Sequence, residues 1–171
     1  MFNADPLPPL KEVVGRFNIA AEKSLGQHFL FDLNLTRRLV SVAGDLAGVN
    51  VAEIGAGPGG LTRALLESSA QHIYAVECDP RAIAALQELA GQADGRLTVI
   101  DANALNLDLA KAIPGPRRVI ANLPYNIGTP LLVSWLSQAD QFQGFTLMFQ
   151  KEVAERIIAQ CSTKSYGRLS V

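Results

Sequence analysis

The chain has 171 residues, of which 49% are hydrophobic and 18% are charged. A chain of this length and composition buries roughly 70% of its unfolded surface, which excludes a disordered tail and a disulfide-held miniprotein. The 15 Lys and Arg and the 16 Asp and Glu give a formal net charge of -1. Any polyanionic partner must therefore be bound by a local patch of positive charge. No apolar run has the length of a membrane helix and the N-terminus shows no signal sequence, so we expect a soluble cytoplasmic protein without membrane contacts.

Metal or thiol chemistry is not expected from the cysteines and histidines. The chain has two of each: Cys78 and Cys161, His28 and His72. None of them stands at the spacing of metal ligands or of a Cys/His catalytic pair, so no metal site is predicted. Both thiols are expected to be small buried side chains.

The N-terminal part of the chain precedes the regular pattern of the sheet. A short helix is predicted at 10–17, and residues 23–30, which contain a glycine and show no clear period, are interpreted as an ordered loop. Residues 32–47 are predicted to form an amphipathic helix that stops at Gly48. Its apolar face is expected to consist of Leu35, Leu39, Val42, Ala43 and Leu46. We divide the chain into an N-terminal extension (1–22) and a main domain (23–171).

Short apolar runs then alternate with segments of helical period. Strands are predicted at 51–54, 72–77, 97–100, 117–121 and 145–149. Helices are predicted at 61–68, 80–90, 129–136 and 151–160, with Asp79 as an N-cap and Pro80 in the first turn of the second of these. This alternation predicts an α/β fold with a mostly parallel sheet. Residues 169–171 resemble the start of another strand, so we interpret the sequence as truncated.

A glycine-rich turn follows the first predicted strand and precedes a helix. Gly55, Gly57, Gly59 and Gly60 satisfy both Gly-x-Gly-x-Gly and Gly-x-Gly-x-x-Gly. Bare backbone lets a ligand approach closely, and the helix N-terminus offers N–H groups to an anion. The glycines alone do not separate a methyl-donor nucleoside from a dinucleotide. Pro58 removes one donor from the turn, which weakens the case for a pyrophosphate.

Polar residues end three further strands. Glu77 ends the second strand at the spacing where a carboxylate accepts from ribose hydroxyls. Asp101 ends the third strand and is placed to accept from the exocyclic amine of a bound adenine, and Asn122 follows the fourth. Ligands of such sheets lie beyond the carboxyl ends of the strands, so these residues and Gly55 are predicted to line one crevice.

Residues 122–125 carry the most specific chemistry in the sequence. The Asn122 side chain offers a carbonyl, and Leu123, which precedes Pro124, is held extended so that its own carbonyl has a defined direction. Two acceptors can hold the hydrogens of a planar amine and expose its nitrogen, and Tyr125 can stack on the ring that carries it. The alternative is an ordinary loop with Asn as a cap and Tyr as packing.

Four stretches together resemble the ribosomal RNA adenine N6-dimethyltransferases, which are related to macrolide-resistance methylases and mitochondrial transcription-factor methylases. The similarity runs from about residue 20 to the end and is best with the small-subunit branch. The stretches are KSLGQHFL (23–30), EIGAGPG (53–59), NLPYNI (122–127) and QKEV (150–153).

The resemblance implies a Rossmann-like class I methyltransferase fold and a monomer that uses S-adenosylmethionine to dimethylate adenine N6 in ribosomal RNA of the small-subunit precursor, a step of ribosome biogenesis. In-line methyl transfer would depend on positioning, since no general-base pair is visible, and the adenine would leave its stack. Residues 122–125 would hold the adenine. His28 departs from the Asn of many members, but either side chain donates a hydrogen bond. The cofactor contacts implied are Gln27, His28, Leu30, Gly55, Gly57, Glu77, Asp101 and Asn122.

Family members continue through further strands, a Phe-x-Pro-Pro-Lys-Val segment and a small helical domain that this sequence lacks, so we expect this chain to be weak or inactive in transfer. Two other functions remain open: a nicotinamide-dependent dehydrogenase, which fits the glycines, and a non-catalytic RNA-binding assembly factor. Candidate RNA contacts are Lys23, Arg37, Arg38, Lys151, Arg156, Lys164 and Arg168.

Overall fold

The computed structural model describes residue 2 and residues 7–19 and 29–171. Helices and strands alternate from β1 onward, as the sequence pattern predicts. In chain order the elements are α1 (Leu10–Arg16), α2 (Leu33–Val42), β1 (Asn50–Ile54), α3 (Gly60–Glu67), β2 (His72–Glu77), α4 (Pro80–Ala90), β3 (Leu97–Asp101), α5 (Leu109–Ala112), β4 (Arg117–Asn122), α6 (Gly128–Leu136), β5 (Phe145–Met148) and α7 (Lys151–Ile157).

The five strands form one sheet in the order β3-β2-β1-β4-β5, and every pair is parallel. This confirms the predicted α/β fold class. The register sets Ile54 beside Val76 and Glu77 beside Asp101, so the carboxyl ends of the strands lie along one edge. Chain order reverses between β1 and β4, which is the switch point where such sheets bind ligands.

The central strand β1 is buried along its whole length because helices cover both faces of the sheet. Its side chains alternate between the two layers. Val51 packs with residues of α2, α3 and α4, whereas Ala52 and Ile54 pack with residues of α5 and α6. Glu53 has the same parity as Val51 and therefore points toward the α3 side.

Side-chain caps fix the starts of two of the predicted helices, α2 and α4. Asp79 accepts from the backbone N–H of Arg81 at 2.9 Å, and Pro80 occupies the first turn of α4, as predicted. Asp32 accepts from the N–H of Asn34 at 2.8 Å and so begins α2. These local signals explain why both helix starts were predictable from the sequence.

Helix α2 is shorter than predicted and presents a different face. It ends at Val42, where Ala43 and Gly44 donate to carbonyls three residues back, which tightens the last turn. The predicted face is therefore wrong in part. Val42 is 72% exposed, and the buried side chains of the helix are Thr36 and Val40.

The C-terminal elements also differ from the prediction. Helix α7 ends at Ile157 rather than near residue 160. Residues 168–170 form turns and not the start of a strand. There the Ser170 hydroxyl donates to the Arg156 carbonyl. Within the described ranges, no helix combines the length and the apolar character required to cross a bilayer.

The N-terminal segment packs across α3 and α4. Val13 of α1 contacts the small side chains of α4 in a separate apolar cluster. The Arg63 guanidinium of α3 donates to the Pro8 carbonyl at 2.8 Å. A Cβ atom at Gly60 would collide with the Leu30 carbonyl and lie 3.0 Å from the Leu10 side chain. Leu10 and Leu30 can therefore pack this closely on the start of α3 only because Gly60 has no side chain.

Gly60→Ala should lower the free energy of unfolding by about 1–3 kcal/mol, because backbone must move to admit the methyl group. The measurement is urea unfolding followed by circular dichroism. Gly15→Ala is the control, since a Cβ at this helical position meets nothing within 4 Å and should stabilise α1 by up to about 1 kcal/mol. A Gly60→Ala variant as stable as the parent chain would contradict the close approach.

Candidate active site

A cavity of about 280 Å³ opens at the carboxyl edge of the sheet. The ends of β1, β2 and β4 and the residues after β3 contribute its walls, and Phe29 closes one side. The crevice predicted from the strand ends is therefore present. Of the predicted site residues, those that line it are Gly55, Gly57, Glu77, Asn122, Leu123, Pro124 and Tyr125.

The glycine turn lines the cavity with bare backbone. Gly55 and Gly57 have φ of +69° and +54°, a region that L side chains rarely adopt. A Cβ at Gly55 would lie 3.2 Å from Pro124 Cδ, and one at Gly57 would lie 3.0 Å from the Phe29 ring. Both conformation and space therefore require glycine here.

Glu77 is a buried carboxylate at the end of β2. Its Oε2 accepts from the Gly57 N–H at 2.8 Å, and its Oε1 accepts from the N–H groups of Cys78 at 2.8 Å and Asp79 at 3.0 Å. A carboxylate offers about four acceptor positions, so these three bonds orient the group and leave acceptor capacity at the cavity. Glu77 thus ties the glycine turn to the second strand.

The end of β3 differs from the prediction in detail. Asp101 is exposed, and the cavity wall on this side is formed by residues 102–105. The Ala102 N–H donates to the Glu77 carbonyl at 3.0 Å, which holds this segment beside β2. The Asn103 side chain accepts from the Leu105 N–H at 3.0 Å and shapes the turn. These residues were not among the predicted site residues, although their place directly after a strand was a signal.

Residues 122–125 form the opposite wall. Asn122 is half-buried, Leu123 is buried, and Pro124 packs on Gly55. The Pro124 carbonyl accepts from the N–H groups of residues 127 and 128 at 3.2 and 3.0 Å, which closes the turn into α6. Tyr125 is 43% exposed at the cavity. An aromatic face and an amide side chain therefore flank the same opening.

A smaller cavity of about 30 Å³ shares Phe29, Gly55 and Asn122 with the first. Leu30 and Glu53 also line it. Burial, with a smaller contribution from the nearby charge of Glu77, raises the pKa of Glu53 from its ordinary 4.5 to about 8. Glu53 was not among the predicted site residues, although a charged residue inside an apolar strand was a visible signal.

Several predicted residues are not in the site or cannot be placed. Gln27, His28 and Lys23 lie outside the described residues. Both cysteines are exposed, so the expectation of buried thiols is wrong. Although Cys78 is exposed as a residue, partial desolvation at the cavity wall and the adjacent carboxylates raise the pKa of its thiol. In the part of the chain that the structure describes, no cluster of three or more His, Cys, Asp or Glu could hold a metal.

Two of the candidate RNA contacts have acidic neighbours. The Arg37 guanidinium donates to both carboxylate oxygens of Glu67 at 2.7 and 2.8 Å, which ties α2 to α3. Lys151 lies 3.7 Å from Glu155 on α7. Arg38, Arg156, Lys164 and Arg168 are exposed. Arg37 is therefore explained by packing of the two helices.

Solved methyltransferases share the fold of this chain. A dimethyladenosine transferase from Plasmodium falciparum has a TM-score of 0.73 and 30% identity, over 84% of this chain and 51% of that chain. The 23S rRNA methyltransferase ErmE has a TM-score of 0.64 and 28% identity, over 75% of this chain and 50% of that chain.

The profile of the ribosomal RNA adenine dimethylase family matches residues 18–171, and the chain belongs to this family. Among curated relatives, ribosomal RNA small subunit methyltransferase A of Paracoccus denitrificans is 54% identical over 98% of this chain. The protein of the same name from Paramagnetospirillum magneticum is 55% identical over 96%. The chain spans about 60% of the length of these relatives. Membership in this family replaces the dehydrogenase alternative.

The raised pKa of Glu53 predicts a pH-dependent stability. Folding binds a proton at this carboxyl between its ordinary pKa of 4.5 and about 8, so stability falls as pH rises through this window. Glu53→Gln should therefore be more stable than the parent chain by at least about 1 kcal/mol near pH 8, and the difference should vanish near pH 5. Urea unfolding at both pH values measures this.

Glu152→Gln is the matched control, because this glutamate is exposed on α7 and should show no such pH-dependent gain. A Glu53→Gln variant that is no more stable than the parent chain near pH 8 would show that Glu53 is already ionised at little cost.

Proposed function

We propose that this chain binds S-adenosylmethionine at the carboxyl edge of its sheet and contributes the catalytic domain for dimethylation of adenine N6 in small-subunit ribosomal RNA. The observation that carries the proposal is Glu77, a buried carboxylate oriented by three backbone N–H groups beside a side-chain-free turn. A group so oriented is suited to accept from ribose. The division into an extension (1–22) and a catalytic domain (23–171) belongs to the same proposal.

The cavity fits a nucleoside-containing cofactor. Side chains at Gly55 or Gly57 would fill the space against Pro124 and Phe29, so the bare backbone keeps it open. In this proposal Glu77 binds the ribose, residues 102–105 contact the adenine with Asp101 near its amine, and Asn122 and Leu30 line the far side. Gln27 and His28 complete the set that the family resemblance implies. The bound cofactor supplies an electrophilic methyl group.

Residues 122–125 are the proposed substrate side. The Asn122 side chain and the Leu123 carbonyl would accept the hydrogens of the adenine amine, while Pro124 holds the loop against the glycine turn. Tyr125 would stack on the base from its exposed position at the opening. Catalysis would come from holding the amine in line with the methyl group. Such positioning can account for a large part of the lowering of the activation free energy.

The finer assignments also belong to the proposal. The names of the relatives specify the small ribosomal subunit. We infer that a small-subunit precursor is the partner. We also infer that the reaction takes place in the cytoplasm and that the protein acts as a monomer. The adenine has to leave its stack to reach the opening, which costs a few kcal/mol and is least at loops and helix ends. The non-catalytic RNA-binding alternative predicts cofactor-independent RNA binding without methyl transfer.

Glu77→Gln should weaken S-adenosylmethionine binding by at least about tenfold. The amide replaces a charged acceptor, and hydrogen bonds to a charged group contribute about 1.5–3 kcal/mol. Calorimetric titration of the 171-residue chain measures the affinity, with NAD titrated in parallel. Glu12→Gln on α1 is the control. Unchanged affinity in Glu77→Gln, or preferential binding of NAD, would overturn the cofactor assignment.

Tyr125→Phe should retain most methyl transfer, whereas Tyr125→Ala should lose about 1–3 kcal/mol of base stacking. The assay is incorporation of labelled methyl groups into small-subunit particles by this chain completed with the C-terminal part of the Paracoccus relative. Phe and Ala variants that are equally impaired would show that the hydroxyl matters and that stacking is the wrong account.

A further inference from the structure

Phe31 is an aromatic side chain to which the proposed methyl transfer assigns no role. It stands just before α2 and is 45% exposed. Its ring meets that of Phe29 with the centroids 6.3 Å apart and the planes at 86°, so the edge of one ring points at the face of the other. Whichever ring supplies the edge, this contact leaves at least one face of Phe31 uncovered.

We infer that Phe31 and Arg38, together called the rim platform, bind the nucleotide next to the target adenine. The base of that nucleotide stacks on Phe31, and its phosphate pairs with Arg38. The inference deepens the proposed function and rests on it, because the adenine has to occupy the opening beside Tyr125. It names a surface that contacts the RNA outside that opening.

The contact with Phe29 places Phe31 at the rim of the main cavity. Phe29 lines this cavity together with Tyr125 of the proposed substrate side. Phe31 lines neither of the two cavities, so its ring lies one side chain outward from their wall. A base stacked on Phe31 is therefore a neighbour of the base in the opening.

The residues on both sides of Phe31 hold it in a fixed position. Asp32 caps α2 by accepting from the N–H groups of Asn34 at 2.8 Å and Leu35 at 3.4 Å. On the other side, Phe29 packs against the apolar cluster between α1 and α4. A ring that is already held in place loses little conformational entropy when a base stacks on it.

Arg38 supplies the positive charge next to this ring. It shares an exposed face of α2 with Leu35, three residues earlier, and it lies roughly 9 Å along the helix axis from the cap at Asp32. Its neighbour Arg37 is engaged by Glu67. Arg38 makes no ion pair within the part of the chain that the structure describes. Its guanidinium therefore remains available to a phosphate.

An aromatic face beside a guanidinium favours RNA as the occupant of this surface. Every base offers a ring for stacking, and every nucleotide carries a phosphate. When the adenine leaves its stack, the adjoining base loses a stacking partner, and Phe31 replaces that partner. The chain has a net charge of -1, so individual cations at the opening have to locate the RNA backbone.

Substitutions at Phe31 test the stacking. The probe is a fluorescent single-stranded oligoadenosine of about ten nucleotides, titrated into the 171-residue chain with S-adenosylhomocysteine present and followed by anisotropy. Phe31→Leu keeps an apolar cover on Phe29 without an aromatic face, and it should weaken RNA binding at least about fivefold. Phe31→Trp should bind at least as well as the parent chain. Val42→Ala removes an exposed apolar side chain of the same helix and should change nothing.

The salt dependence of the same titrations tests Arg38. Arg38→Gln should weaken RNA binding and lower the slope of log affinity against log salt by about 0.7, the value for one single-strand phosphate contact. Phe31→Leu should keep the parent slope, because stacking releases no counterions. Lys11→Gln is the charge-matched control, since this exposed lysine lies on α1, and it should also keep the parent slope.

Photo-crosslinking locates the rim platform relative to the opening. An oligouridine with a single adenosine carries 5-iodouridine either next to that adenosine or several nucleotides away. Iodouridine at the neighbouring position should crosslink to Phe31, as identified by mass spectrometry, and iodouridine at the distant position should crosslink far less. Phe31→Leu should remove the crosslink at this residue.

The outcomes distinguish this inference from the proposed function. If the parent chain does not bind S-adenosylhomocysteine, the proposed function fails and this inference fails with it. If the parent chain binds this cofactor product but no RNA, or if either Phe31→Leu or Arg38→Gln leaves the RNA affinity unchanged, the cofactor site stands and the rim platform is wrong. That result would leave the exposed face of α2 to a protein partner.

Two further results would overturn the rim platform. Equal crosslinking from the neighbouring and the distant position would show that Phe31 does not contact the nucleotide next to the adenine. Weaker binding of S-adenosylhomocysteine by Phe31→Leu would show that Phe31 acts on the cofactor cavity through Phe29 and not on the RNA.

Discussion

The hydrogen bonds of the Glu77 carboxylate hold together the two segments that make the site. One oxygen accepts from Gly57 in the glycine turn, and the other accepts from the two residues that follow β2. Without this acceptor three backbone donors would be left unpaired, each at a cost of about 1–3 kcal/mol where it is buried. The carboxylate therefore shapes the turn before any ligand enters, and the same group is then aimed at the cavity.

The position of the glycine turn also fixes the opposite wall of the cavity. Pro124 packs on Gly55, and Phe29 packs on Gly57, at distances that no side chain on either glycine would permit. The loop after β4 is thus located by contact with the loop after β1, across the switch point of the sheet. This contact brings the edge proposed to bind the nucleoside and an amide–aromatic pair to one opening, an arrangement suited to transfer between two bound groups.

Glu53 is a buried carboxyl whose stability cost grows as pH rises toward 8. On the α3 side of β1 an apolar residue would pack better, and the raised pKa of Glu53 reflects the cost of placing a carboxyl there. The Thr62 hydroxyl compensates only part of that cost.

The sequence by itself determined the alternation of strands and helices, the capped start of α4 at Asp79, and the strand-end residues Glu77 and Asn122, because these depend on local periodicity and spacing. Only the tertiary structure decided the rest. The early end of α2 exposes Val42, residues 102–105 take the wall that was assigned to Asp101, and Glu53 lies beneath the glycine turn. These features depend on which surfaces meet across the sheet, and contacts between residues far apart in the chain leave no periodic signal in the sequence.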